Sequence, residues 1–175
     1  MTLHPLVSRL AGGDRRSLGD TDLVVEAVLA EPQLFEAVME GLQSVDPIVC
    51  SRVAHVLERV SAARPELLQP HKAHLLGPVA EMSEWEVRTQ LCLMLPRLHL
   101  AQSELEATMQ LLQRYLDQDT RSFVRTFAMQ ALADLAVANP TLKAEVIPLI
   151  AHHTQHGKAA MQARGRKLLR KLELA

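Results

Sequence analysis

A twelve-residue pattern recurs four times along this chain at a spacing of 37 to 38 residues, and that period limits the folds open to it. Val49 to Val60 aligns without gaps on Val87 to Leu98 and on Val124 to Leu135, and more loosely on Met161 to Leu172. A period of this size belongs to arrays of small supersecondary units, none of which can bury its apolar face alone. Within each copy the apolar positions fall at i, i+4, i+8 and i+11, as in Val87, Leu91, Leu95 and Leu98, which puts them on one face of a helix. The fourth copy departs from this at Gly165, where the others carry Val, Leu or Ala. A second set of segments starts near Glu66, Ser103 and Thr141 and lies between these helices, so each unit reads as a pair of helices.

Local signals set the boundaries. Asp46-Pro47 and Asn139-Pro140 read as an N-cap followed by proline at the first helical position. Ser83-x-x-Glu86 and Ser103-x-x-Glu106 read as capping boxes. Pro96, Pro148 and Pro78 fall inside helical patterns and are expected to bend or end their helices. The spacing predicts four pairs, 32–43 with 46–61, 65–80 with 84–98, 102–117 with 120–137, and 141–155 with 158–173. Two lead helices at about 4–11 and 21–30 precede them. The stretch from Ala11 to Asp20, with three glycines and no periodicity, reads as a long mobile loop.

The helix pair with proline near its start, and an acid or cap before "VR" at the head of the second helix, resembles the HEAT repeat. The residues that carry the likeness are Asp46-Pro-Ile-Val49, Trp85-Glu-Val-Arg88 with Leu95-Pro-Arg-Leu98, and Phe123-Val-Arg125 with Ala128 to Ala136. The resemblance covers residues 32 to 173 and implies an all-α, right-handed α-α superhelix forming one domain over 1–175. It implies that Arg88 and Arg125 make structural polar contacts between neighbouring units. It implies too that the second helices line a concave side, on which solvent-facing positions form columns. One column is Arg59, Arg97, Asp134 and Lys171; another is His55, Leu93, Gln130 and Lys167; a third is Arg52, Gln90, Phe127 and Arg164. That face is mainly basic, and Arg52, His55, Arg59, Arg97, Gln130, Arg164, Lys167 and Lys171 are the residues expected to receive an acidic peptide or protein face.

Composition agrees with a helical, folded chain of 175 residues: 48% of them are hydrophobic, 22% charged and only 3% aromatic. Net charge is −1, without the overall basic footprint of a nucleic-acid binder. Charge is uneven, because from His156 onward six basic residues stand against Glu173 alone. The N-terminus lacks the apolar run of a signal segment and no stretch reaches membrane-spanning length, so a cytoplasmic protein with no membrane association is expected. Cys50 and Cys92 lack metal or redox spacing. Cys92 occupies a packing position; Cys50 stands where other copies have arginine and is expected to be the more exposed.

No cofactor is expected. His152 and His156 share a helix face and could hold a metal, yet no acid or cysteine nearby in sequence completes a site, and a polar helix end running into Gly157 is the simpler reading. The HEAT-like hydroxylases hold two irons with repeated His-Glu pairs, and this chain has no His-Glu dipeptide. Trp85, the single tryptophan, reads as an anchor between repeats. The expected function is a non-enzymatic protein-binding scaffold or adaptor. Its alternatives are a nucleic-acid-binding module and a small HEAT-like enzyme of lyase or glycosylase class. The oligomeric state is left open between a monomer and a weak homodimer.

Overall fold

A computed structural model describes residues 3–14 and 17–175, and among them every regular element is helical. The chain divides into two compact units, Met1–His99 and Leu100–Ala175. The cut falls between the second and third helix pairs. Among the described residues no helix is long and apolar enough to cross a membrane.

In the first unit the short α1 (Pro5–Ser8) leads through the glycine-rich loop into α2 (Thr21–Ala30) and α3 (Leu34–Glu40). The long α4 (Pro47–Ala63) follows, capped as predicted by Asp46, whose Oδ1 accepts from Ile48 N–H at 2.8 Å ahead of a proline that has no amide to satisfy. Helix α4 packs against both α2 and α6 (Trp85–Met94) and carries the core of the unit, with Val53, Val56, Leu57 and Val60 fully buried. Burying each such side chain contributes about 1.5–3 kcal/mol.

The partner of α6 is not the single helix 65–80 that the spacing predicts. It is a 3-10 turn over Pro65–His71, one and a half turns of α5 (Lys72–Leu76), and a second 3-10 turn over Pro78–Glu81. Pro70 and Pro78 each lack the amide that an α ladder needs, and Gly77 intervenes, so the segment falls back on i→i+3 bonds. Its apolar stripe nevertheless stays inside, with Leu68, Leu75 and Val79 buried. Side chains fasten the broken segment to the end of α6: Gln69 donates to Arg97 C=O at 3.2 Å and accepts from His99 N–H at 3.1 Å. Pro96 ends α6 as expected, in a 3-10 turn over Leu95–Arg97.

The second unit holds two regular pairs, α7 (Gln102–Gln118) with α8 (Ser122–Ala138) and α9 (Lys143–His156) with α10 (Ala159–Leu174). Asn139 accepts from Thr141 N–H at 3.3 Å and opens the 3-10 turn Pro140–Leu142 that precedes α9. Pro148 is accommodated within α9 without ending it. The two expected serine boxes do not form. The N-cap of α7 is Ala101, two residues before Ser103, and there the Glu104 carboxylate accepts from Ala101 N–H at 2.7 Å, while α6 has Glu84 at its N-cap.

The repeat register is the packing register. Val49, Val87, Val124 and Met161 are all buried, as are Val60, Leu98, Leu135 and Leu172 at the other end of the pattern. Gly165 is a close contact rather than a weak point, because a Cβ there would lie 1.8 Å from Thr154 Oγ1. Side-chain absence on α10 is what lets it approach α9.

Candidate functional site

The second helices carry the polar side chains that sequence singles out, and most of those side chains are already bonded within the chain. Arg52 departs furthest from expectation. It is 3% exposed, and its guanidinium reaches away from solvent into the loop between α1 and α2. Nη1 donates to the carbonyls of Leu10 and Gly12, each at 2.7 Å; Nη2 donates to Asp14 C=O and Nε to Ser17 C=O, each at 3.0 Å. Gly19, at φ +54°, passes so close that a Cβ would lie 2.9 Å from Nη1. Outside this cradle Arg9 and Asp20 pair at 3.1 Å across the ends of the loop. Arg52 therefore leaves the proposed binding face and becomes the organiser of the loop read as mobile. Cys50 is also corrected: it is 2% exposed, its thiol donates to Ser44 C=O at 3.1 Å, and burial pushes its pKa up.

Three other cations of the expected face are paired with acids about one repeat earlier in the chain. Arg59 pairs with Asp22. Arg97 Nη2 meets Glu58 Oε1 at 2.5 Å, while its Nη1 donates to Glu58 C=O and Ser61 Oγ, both at 2.8 Å. In the second unit Lys171 Nζ meets Asp134 Oδ1 at 2.8 Å. Arg164 donates to Gln130 Oε1 at 2.8 Å, and Gln130 in turn donates to the Asp134 carboxylate at 3.0 Å. His55, half-buried on α4, lies 3.4 Å from the Gln90 amide of α6, and burial lowers its pKa. Of the eight residues expected to bind a partner, Lys167 alone, among the described residues, is exposed and makes neither a hydrogen bond nor an ion pair. Of the acids that consume the basic columns, Asp134 already stood in the column of Lys171, whereas Asp22 and Glu58 were missed in the sequence; a signal existed for Asp22, which precedes Arg59 by 37 residues, as Asp134 precedes Lys171.

The arginines of the "VR" pairs differ from one another. Arg125 of α8 donates from Nε to Leu116 C=O at the end of α7, at 2.7 Å, and its Nη2 lies 3.4 Å from His153 Nδ1 on α9. Arg88 donates to Met82 and Ser83 carbonyls at 3.1 Å, just ahead of its own helix. Because arginine can only donate, His153 Nδ1 is an acceptor, and Nε2 carries the proton given to Asp117 Oδ1 at 2.8 Å. Burial outweighs Asp117 and lowers the His153 pKa. His152 and His156 stack with ring centroids 4.5 Å apart, and His156 Nδ1 bonds to the His152 carbonyl at 2.9 Å. Among the described residues no group of three or more His, Cys, Asp or Glu side chains is placed to hold a metal ion.

Two surface depressions lie in the second unit. One, of about 600 Å³ and wide open, is formed by α10 around Lys167, Arg170, Lys171 and Leu174. The other, of about 370 Å³ and better enclosed, runs between α7 and the start of α9, with Leu105, Met109 and Leu142 in it and Glu106 and Glu145 beside them. Compared with protein-family models, with curated proteins and with solved structures, the chain matches none.

Proposed function

We propose that this chain is a non-enzymatic protein-binding module built from HEAT-type helix pairs, which takes an acidic peptide or acidic protein face on its second helices. The observation that supports this reading most is the way neighbouring second helices bond to one another across a repeat: His55 with Gln90, Glu58 with Arg97, Gln130 with Arg164 and Asp134 with Lys171. Within each unit such bonds hold polar side chains in fixed positions, and pre-ordered side chains lose less entropy when a partner settles on them.

Internal pairing narrows where the partner would sit. Arg59 and Arg97 are neutralised by Asp22 and Glu58, so the receptive charge in this reading is that of α10, where Arg166, Lys167 and Arg170 are exposed and none has a carboxylate partner among the described residues. Exposed cations of this kind contribute more to encounter rate and salt dependence than to affinity.

Labelled full-length chain applied to an array of Asp- and Glu-rich peptides tests the proposal. A subset is expected to bind, and K167E/R170E is expected to weaken that binding roughly tenfold or more. Unchanged binding by K167E/R170E overturns the assignment to α10. Retention of duplex DNA or RNA in place of peptide would turn the reading toward nucleic acid.

A further inference from the structure

The exposed stripe of α10 and the groove between α7 and α9 are complementary in charge, in apolar content and in length. Along α10, Lys167, Arg170 and Leu174 follow one another at i, i+3 and i+7 and so lie on one stripe of the helix. Leu174 is 89% exposed, an aliphatic side chain with nothing covering it, and Lys167 and Arg170 carry no ion pair among the described residues. Between α7 and α9 the arrangement is inverted. Met109 is buried and Leu105 and Leu142 half-buried at the base of the groove, while the exposed Glu106 and Glu145 stand on its two sides.

The seven steps of α10 from Lys167 to Leu174 rise about 10 Å, and the α7 wall from Gln102 to Gln110 rises about 12 Å. A two-turn basic stripe ending in leucine thus matches a two-turn groove with an aliphatic base and acidic sides, the arrangement by which a helix docks in a groove.

We infer that the acidic surface received by α10 is the α7–α9 groove of a second copy of this chain, with Leu174 seated on Leu105, Met109 and Leu142, and Lys167 and Arg170 set against Glu106 and Glu145. The inference rests on the reading of α10 as the receptive helix and names its partner. Lys171 stays with Asp134 of its own chain and takes no part. Because the two surfaces differ, the contact is head-to-tail, and each added copy leaves one stripe and one groove unused, so growth does not stop at two unless a ring closes. A two-turn contact is smaller than a stable dimer interface, so the association is weak and depends on concentration.

Sedimentation velocity of the full chain over a range of concentrations tests this at about 50 mM and about 500 mM salt, where the reach of exposed charges contracts from about 14 Å to about 4 Å. The weight-average mass is expected to rise with concentration at low salt and to fall at high salt. Both E106K/E145K and K167E/R170E are expected to stay monomeric, and a chain with all four reversals, which exchanges the charges of stripe and groove, is expected to self-associate again. A wild-type chain that is monomeric throughout, or association that survives either pair of reversals, overturns the inference. Binding of acidic peptides by a chain that never self-associates would overturn the self-docking alone and leave the proposed function standing.

Discussion

The guanidinium of Arg52 fills a ring of carbonyls that a loop with three glycines cannot satisfy by itself. Buried backbone acceptors need donors, and Leu10, Gly12, Asp14 and Ser17 all find theirs on this one side chain. The position of Arg52 in the repeat was legible in the sequence, since it aligns with Gln90, Phe127 and Arg164. Its direction was not, because a non-repeating segment covers α4 there and periodicity carries no record of what covers a helix. A lysine could not do the same work: three donors on one nitrogen cannot span four carbonyls, whereas the planar fork meets them from three nitrogens. Arg52→Lys and Arg52→Met are therefore both expected to destabilise the chain by about 2–4 kcal/mol. Limited proteolysis should then cut between Ala11 and Asp20 while α4 remains intact. Wild-type resistance to cleavage in Arg52→Lys would show that charge alone holds the loop.

Elements were most legible where the apolar stripe runs on without an interior proline, as in α4, α7, α8 and α10, and least legible where proline overrides a good apolar stripe. Residues 65–80 keep the stripe, with Leu68, Leu75 and Val79 buried, yet Pro70 and Pro78 forbid the ladder. Gly165 is the opposite case, a residue that weakens the pattern but strengthens the packing. With Thr154 Oγ1 1.8 Å from where its Cβ would stand, and that hydroxyl donating to Ile150 C=O at 2.7 Å, alanine at 165 must push α10 away from α9. Alanine favours a helix over glycine by about 1 kcal/mol, while overpacking costs about 1–3 kcal/mol and parts two helices that share a buried seam. Overpacking wins, and Gly165→Ala is expected to lower the melting temperature by about 3–8 °C. Thr154→Ala in the same chain removes the nearest clashing atom and should recover part of the loss. A melting temperature unchanged or raised by Gly165→Ala would mean that the two helices do not meet at this residue.

Over the whole molecule, charge is arranged to satisfy its own repeats, and two histidines share in that arrangement. Basic columns were visible from the register, but their acids lie about one repeat back, Asp134 within the column of Lys171 and Asp22 and Glu58 outside the named positions, so a count of the cations alone overstates the free positive charge. His55 in the first unit and His153 in the second are both held below the ordinary imidazole pKa of 6.5, in each case chiefly by burial. For His153 the geometry gives the same direction: protonating Nδ1 replaces the acceptor of the Arg125 bond with a second donor and sets two cations 3.4 Å apart, which the Asp117 carboxylate offsets only in part. Folding therefore favours the neutral ring at both sites. The stability this confers is fully present above about pH 6.5, where the unfolded chain is neutral too, and is lost as the pH falls below that value toward the lowered folded-state pKa values. Urea unfolding is expected to give a falling midpoint between about pH 7.5 and about pH 5.5, earlier than carboxylate titration alone would begin to act. His55→Gln and His153→Gln keep a hydrogen-bonding side chain that does not titrate, so together they should flatten the profile in this window and shift carboxylate-driven loss below about pH 5. A double variant with the wild-type slope would place the pH dependence elsewhere and remove the histidines from it.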